Sequence, residues 1–410
     1  MSGEILEPIH TPRTAHYPGA LERLGAWAAG LCPAGSRVTL VTGQRTLERL
    51  PALAEAVEAL SGAGWRVTTV RVDGEPSAEW VDEQRDRQAA AGGADLAIAA
   101  GGGSALDTGK ALAAMACEAG PTSAYMEGIG DRAPSGERLP WIAVPTTMGT
   151  GSEATHNAVL GRPALEGGYK RSLRHPRYVA DRIILDARLS ASLPRSVVAS
   201  AGMDAYAQLL ESYLAPTSSP LLDRWLAYGL GLAGGALPGL LRRHGEEDLE
   251  AQRHDMALAA MLSGVALTYT GLGVVHGLIG PLGAVAPVGH GVACANCLPG
   301  AMRHTLAAAR AAGGDRRAFV EARMASAAAA LDEPAAAAAG VDEATGADAL
   351  VEALDGWRRL ARGTAGVPSL AQAGVEERHL RAVLAKASDR RNPVALDEAS
   401  RRAILEEAQG

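Results

Sequence analysis

The feature that most constrains this chain is the alternation of its first half. "SRVTLVTG" (36–43) is a β-branched run ending in glycine, which reads as a strand. "TLERLPALAEAVEALSGAG" (46–64) has apolar residues at helical spacing and a Gly-Ala-Gly stop. Strand 65–72, helix 78–93, buried strand 94–104, helix 105–120 and strands 139–147 and 182–186 follow. Strands joined one by one through helices have to run parallel, because each crossover returns the chain to the same edge. The first half is therefore an α/β domain built on a parallel sheet.

After about residue 190 the strand-like runs stop. Ala/Leu-rich segments at 195–214, 220–241, 247–279, 299–312, 316–331, 342–362 and, in pieces, 376–409 predict helices. The alanine tract 327–340 reads as helix with a break at Pro334. The expected organisation is an α/β dinucleotide-binding domain over 1–190 and an all-α domain over 191–410, with the site in the cleft between them. From Met256 to Met302 there is no Asp, Glu, Lys or Arg. Interruptions by Thr268, Thr270, His276, Pro281, Pro287 and His290 argue against a membrane span and for a buried helix followed by a buried loop.

The formal charge of −7 argues against nucleic acid as a partner. Four cysteines in 410 residues do not form a disulfide framework, and a reducing, cytoplasmic setting fits. Cys294 and Cys297 have CxxC spacing without a second pair, so they read as buried small hydrophobes rather than a zinc site. The N-terminus lacks the basic-then-apolar pattern of a signal peptide.

Two loops carry the chemistry of the first domain. "AIAAGGGSALDTGKALA" sets Gly101, Gly102, Gly103 and Ser104 between a buried strand and a helix, where free N–H groups favour a phosphate. Asp107 in the first turn is placed to cap that helix or to orient Ser104. "VPTTMGTGSEAT" (144–155) follows the next strand, and Thr146, Thr147, Thr150 and Ser152 are its candidates to face a cofactor. Both loops end parallel strands, where α/β sheets take nucleotides. In the second domain, His276 and His290 lie in the chargeless stretch. Asp204 and Gln208, four residues apart, share a face of a neighbouring helix. Two imidazoles and a carboxylate suit a divalent metal such as iron or zinc, whereas either histidine alone would read as a satisfied core residue.

In order along the chain, "GGGSALDTGKA", "PTTMGTGSEAT", "GMDAYAQLLESY", "VVHGLIGPLG", "GHGVACANCLP" and "NPVALDE" resemble the iron-containing, or group III, alcohol dehydrogenases from about Tyr17 to Ala408. The resemblance implies a dehydroquinate-synthase-like fold, a nicotinamide cofactor and a divalent metal on Asp204, position 208, His276 and His290. Two positions depart from the family pattern. Gln208 stands where the second metal-ligand histidine is usual, and Gly280 where many members carry a nicotinamide-side histidine. An amide oxygen is a weaker donor than imidazole toward iron or zinc, so the metal is expected weak or absent. Gln208 then either completes the ligand set or donates directly to the substrate oxygen or Asp204. An Asp often stands at position 43 in NAD-using relatives. Here Gly43 followed by Arg45 favours NADP(H) over NAD(H). Lys170 corresponds to a lysine near the cofactor, and Arg13 and His16 fall where relatives have a turn near it.

The expected activity is NAD(P)H-dependent interconversion of an aldehyde and an alcohol by a homodimer. The preferred direction is aldehyde reduction in a biosynthetic pathway such as phosphonate metabolism. Two alternatives stay open: a lyase or cyclase of the dehydroquinate-synthase type, and a non-catalytic nucleotide-binding descendant.

Overall fold

The computed structural model describes residues 9, 11–243, 249–331 and 346–410. Eight strands occur among them, all before residue 186: β1 (Arg13–His16), β2 (Arg37–Gly43), β3 (Arg66–Val72), β4 (Leu96–Gly101), β5 (Trp141–Pro145), β6 (Asn157–Arg162), β7 (Tyr169–Arg174) and β8 (Arg182–Leu185). Six form one sheet in the order β3-β2-β4-β5-β8-β1, and every neighbouring pair is parallel. The crossovers carry α1 (Leu24–Ala29), α2 (Thr46–Arg49), α3 (Pro51–Gly62), α4 (Ala78–Ala90) and α5 (Gly103–Met115). The chain leaves β2 to one side for β3 and returns on the other side for β4. This reversal opens a crevice at the carboxyl ends of β2 and β4.

Side-chain alternation along the strands divides the core in two. Leu96, Ile98 and Ala100 of β4 pack into one apolar cluster with Leu53 and Leu60 of α3. Ala97 and Ala99 face the opposite cluster, which runs on into the helical domain. Strands buried on both faces read as continuous apolar runs, which is why β4 is visible in the sequence. Each fully buried Leu or Ile contributes about 2 kcal/mol.

The rest of the described chain is helical: α6 (Arg195–Leu214), α7 (Pro220–Arg242), α8 (Glu250–Thr270), α9 (Val274–Val285), α10 (His290–Ala312), α11 (Gly314–Ala329), α12 (Gly346–Gly363), α13 (Glu377–Leu384) and α14 (Glu398–Gln409). Among the described residues no single helix is long and apolar enough to cross a membrane.

Several sequence expectations need correction. The helix expected over 46–64 divides at Leu50, whose extended backbone is what the following Pro51 imposes. The helix expected over 247–279 breaks at Gly271, φ 68°, and α8 and α9 meet at 96°. The buried loop expected before Met302 is instead α9 and the start of α10. A helix satisfies its own N–H and C=O groups, so burial without polar partners favours it over loop. Arg13 and His16 lie on edge strand β1 rather than in a turn, and His16 stacks on His254 of α8 at 3.5 Å between centroids. The β6–β7 hairpin, short and largely polar, has no counterpart in the sequence reading. Pro334 lies outside the described residues.

Candidate active site

Helix α6 carries three polar side chains on one buried face: Asp204, Gln208 and Glu211. They recur at steps of four and three, the spacing of one helical stripe. Opposite them, α9 presents His276 and the first turn of α10 presents His290. Asp204 Oδ1 lies 3.4 Å from His276 Nε2 and 3.6 Å from His290 Nε2. Neither Asp204 Oδ1 nor His276 Nε2 has a hydrogen-bond partner, although both are buried. For bonds of about 2.0–2.2 Å, a tetrahedral metal holds its donors about 3.3–3.6 Å apart. The spacing, the orphaned atoms and the donor types all fit a divalent cation.

Glu211 organises this cluster. Its Oε1 accepts from Val275 N at 2.6 Å and its Oε2 is 2.6 Å from His276 Nδ1. The bond fixes the ring so that Nε2 faces Asp204. Burial opposes protonation of His276, but the Asp204 and Glu211 carboxylates override it and hold its pKa up at about 9. Burial pushes His290 down to about 3, despite Asp204 and with Lys170, His276 and Arg390 adding to the effect. Burial alone would raise the Asp204 carboxyl; His290, His276 and Gln208 hold it below its ordinary value. One imidazole is thus a neutral donor, and the other holds a proton that a cation at Nε2 has to displace.

Gln208 Oε1 accepts from Ser263 Oγ at 2.8 Å, and its amide nitrogen serves Asp204. Ser263 also has Ala260 O at 2.7 Å, yet a hydroxyl has one proton to give. Turning the amide over lets nitrogen donate to Ser263 while Ser263 donates to Ala260. The oxygen then faces Asp204, which is favourable only with a cation between them. Ser263 therefore supports Gln208 both as a donor to Asp204 and as an oxygen ligand.

Cys294 joins the cluster unexpectedly. A donor atom of each of Asp204, His276 and Cys294 lies within 4.8 Å of the others. Cys297, one turn further along the same helix, is also buried, and both thiols are free. Burial and the nearby carboxylates push the Cys294 thiol well above its ordinary pKa. Glu211 was legible as a third member of the α6 stripe; Cys294 was not, because an unpaired CxxC has no such signal.

At the crevice, Gly43 ends β2 and Arg45 follows it, exposed and without a side-chain partner among the described residues. Gly101 ends β4, Gly102 precedes α5 and Gly103 opens it. A Cβ on Gly102 or Gly103 would lie 2.9 or 2.8 Å from the methyls of Thr147 and Thr150. These glycines are thus required by the approach of the threonine loop, whatever they bind. Thr146 N donates to Gly101 O at 2.9 Å, and Ser104 sits half-buried in the first turn. The threonine loop also rests on the helical domain. A Cβ on Gly149 would meet Ala201 of α6 at 2.6 Å, one turn before Asp204.

Two candidates face inward instead of toward this crevice. Asp107 neither caps α5 nor orients Ser104; it accepts from Ser152 Oγ and, at 3.0 Å, from Val159 N. Ser152 is thereby committed to Asp107. Beside them Lys110, fully buried and unnoticed in the sequence, donates to Ser152 O, Thr155 Oγ1 and Asn157 O at 2.7–2.8 Å. Burial lowers its pKa to about 8. These groups tie α5 to β6. Lys170 pairs with Glu75 and lies along α9, with Cδ 2.9 Å from the Cβ position of Gly283. A cavity of about 570 Å³ near Pro12, Pro140, Pro176 and Ala180 opens at the amino end of the sheet, away from all of these groups.

Residues 11–187 match the family described as iron-containing alcohol dehydrogenase, and residues 198–408 match the C-terminal part of the same family. The chain is 37% identical over 210 residues to a probable alcohol dehydrogenase, EutG, of Escherichia coli K12, covering 51% of each chain. It is 33% identical to a sulfoacetaldehyde reductase of Bilophila wadsworthia, covering 65% of this chain and 66% of that one. The alignments thus span about half to two thirds of these relatives. The iron-containing alcohol dehydrogenase of Thermococcus thioreducens superposes with a TM-score of 0.78 at 25% identity, covering 97% of this chain and 98% of that one. With both halves matched and the fold shared, the chain belongs to the iron-containing alcohol dehydrogenases.

Proposed function

We propose that this protein reduces an aldehyde to an alcohol with a nicotinamide cofactor, NADP(H) in preference to NAD(H). The observation that carries the reading is the convergence of Asp204 Oδ1, His276 Nε2 and His290 Nε2, the first two buried without a hydrogen-bond partner. Family membership supports the same chemistry. When bound, a divalent cation such as iron or zinc supplies a Lewis acid to the carbonyl oxygen and the reduced nicotinamide supplies hydride.

The residues of the chain do the rest. Asp204, His276 and His290 would hold the cation, with the amide oxygen of Gln208 as a weak fourth ligand, and Glu211, bonded to Nδ1, fixes the His276 ring so that Nε2 would face the cation once its proton is displaced. Gly101, Gly102, Gly103 and Ser104 offer backbone N–H groups to the cofactor phosphates. Thr146, Thr147 and Thr150 line the loop beside these glycines and would face a cofactor bound there. Arg45 would take the 2′-phosphate, a role supported by its exposed guanidinium, without a side-chain partner among the described residues, beside Gly43. Gly280 offers no proton donor, so the alcohol proton comes from water or the cofactor ribose. The phosphonate-pathway reading is supported by kinship to a reductase whose substrate, sulfoacetaldehyde, is an aldehyde with an anionic head.

Steady-state oxidation of NADPH by metal-loaded enzyme against a panel of aldehydes tests this. Stoichiometric NADPH loss and alcohol formation are expected, abolished by chelation and restored by Fe²⁺ or Zn²⁺. Product without net cofactor change would instead mark a cyclase or lyase. Tight cofactor binding with no turnover would mark a non-catalytic descendant.

A further inference from the structure

The segment after α13 returns across α9 and delivers one cation to the active site. Ser388 O lies 1.8 Å from the point where a Cβ on Gly277 would stand, so only glycine lets the segment settle there. Arg391 N donates to Leu272 O at 3.1 Å. The Asp389 carboxylate accepts from Leu396 N and from Arg401 Nη1, each at 3.0 Å. Between these anchors Arg390 adopts φ 48°, in the left-handed region. Among the described residues only Met148 and Arg390 do so without being glycine, and Met148 belongs to the threonine loop. Backbone held in such a region costs about 1–3 kcal/mol and persists where its surroundings over-determine it, often at ligand sites.

The conformation aims the side chain along α9. Arg390 Cγ lies 3.8 Å from the Gly277 Cβ position, and Nη2 lies 3.4 Å from that of Gly280. Gly280 is one helical turn beyond His276 and on the same face, so a side chain at 280 would point toward the same space. The guanidinium reaches that space in its stead. It has no hydrogen bond or ion pair among the described residues. Arg171 and Arg174 lie close enough to repel it, Glu211 and Glu127 to attract it, and His290 feels its charge. The side chain is exposed, so water solvates the guanidinium in the free protein and its planar fork stays open to an anionic ligand.

We propose that Arg390 is the specificity-determining cation of the active site and binds the terminal anionic group of a short aldehyde substrate. The planar fork of a guanidinium suits a carboxylate, sulfonate or phosphonate, each of which offers two coplanar or near-coplanar oxygens. A Cβ at 280 would meet Nη2 at an ordinary 3.4 Å; a longer side chain there would compete with the guanidinium and the head group for the same space. The inference rests on the aldehyde-reductase reading and adds the substrate class.

The test compares metal-loaded wild type, Arg390→Ala and Arg390→Lys at saturating NADPH. The substrates are succinic semialdehyde, sulfoacetaldehyde and phosphonoacetaldehyde, with butyraldehyde as the neutral reference. Wild type should prefer at least one charged aldehyde, and the best of the three identifies the head group. Arg390→Ala should raise KM for it by about 100-fold while kcat/KM for butyraldehyde stays within about threefold, and Arg390→Lys should recover part of the loss. Ethylphosphonate and ethanesulfonate binding to the holoenzyme, followed by calorimetry, should be lost in the same variants. Equal losses on charged and neutral aldehydes, or no preference for charge in wild type, overturn the proposal. So does a rise in the KM of NADPH alone, which would assign the guanidinium to a cofactor phosphate. If no aldehyde is reduced, the reductase reading falls; loss of anion binding on Arg390→Ala would still support the anion site, and unchanged binding would end it.

Discussion

Glu211→Gln separates the positioning of the metal ligand from the stability of the fold. Glu211 receives two donors, Val275 N and His276 Nδ1, each at 2.6 Å. A carboxylate accepts both, whereas an amide has one acceptor and must turn its N–H₂ toward the other. With the oxygen on Val275, the amide nitrogen faces Nδ1, and His276 can satisfy it only by moving its proton to Nε2. Nε2 is the atom 3.4 Å from Asp204 Oδ1, so its lone pair is then blocked from a cation. Restoring the binding tautomer leaves two donors facing each other, a loss of about 1–3 kcal/mol. The corresponding loss of metal affinity is about 10–100-fold, the range usual for residues that orient a metal-binding histidine. Competition with a chromophoric chelator for Zn²⁺, or titration with Co²⁺ followed by its visible absorption, measures it. Above about pH 9, where His276 is neutral in the metal-free wild type, the melting temperature should move little, because the swapped tautomer satisfies every group. A metal Kd within twofold of wild type would refute the argument. Glu211→Leu should by contrast destabilise the metal-free protein, since it leaves Val275 N and Nδ1 without an acceptor.

Other expectations follow from the same geometry. Gln208→His should tighten Zn²⁺ binding by at least about tenfold, because imidazole replaces a weak amide donor; unchanged metal content after dialysis would count against position 208 as a ligand. Arg45→Glu should shift the NADPH-to-NADH ratio of kcat/KM by about tenfold or more toward NADH, and an unchanged ratio would remove Arg45 from the 2′-phosphate site. Glu153 gives a pH test. Burial raises its carboxyl from 4.5 to about 7, with Asp107 adding to the shift and Lys110 opposing it. The folded state therefore keeps this proton where the unfolded chain loses it, a contribution present in full below pH 4.5 and lost as pH rises through about 7. The difference is worth about 3 kcal/mol. Glu153→Gln stays neutral throughout, so its melting temperature should gain on wild type between about pH 5 and pH 8; a constant difference would contradict the buried, protonated state.

What the sequence made legible depended on where each signal resides. Strands buried on both faces, such as Leu96–Gly101, and helices bounded by glycine announce themselves locally. So does Asp204, whose partner four residues on shares its helix face. Glu211 needed only one more step along that stripe. The segment 256–302 misled because absence of charge is equally compatible with buried loop and buried helix, and only backbone hydrogen bonding decides between them. Ser152 looked cofactor-facing and Asp107 a cap or a partner of Ser104, because hydroxyls and carboxylates near glycine loops suit such roles. Their actual partners include Val159 and the buried Lys110, which spacing does not link to them.

Gly280 shows most clearly what local sequence leaves out. In sequence it is a missing histidine, and a missing side chain suggests a weakened site. In three dimensions the space that a long side chain at 280 would fill is reached by Arg390, which arrives from a segment with no sequence tie to α9. The glycine at 277 seats that segment, and the left-handed backbone at 390 accompanies a side chain that runs along α9 to position 280. A neutral or pH-titrating imidazole is thereby exchanged for a permanent cation on the same face as His276. Such an exchange does little for a neutral aldehyde and much for a charged one. The departures at 208 and 280 then differ in kind: the first changes how firmly the cation is held, and the second changes which aldehyde is brought to it.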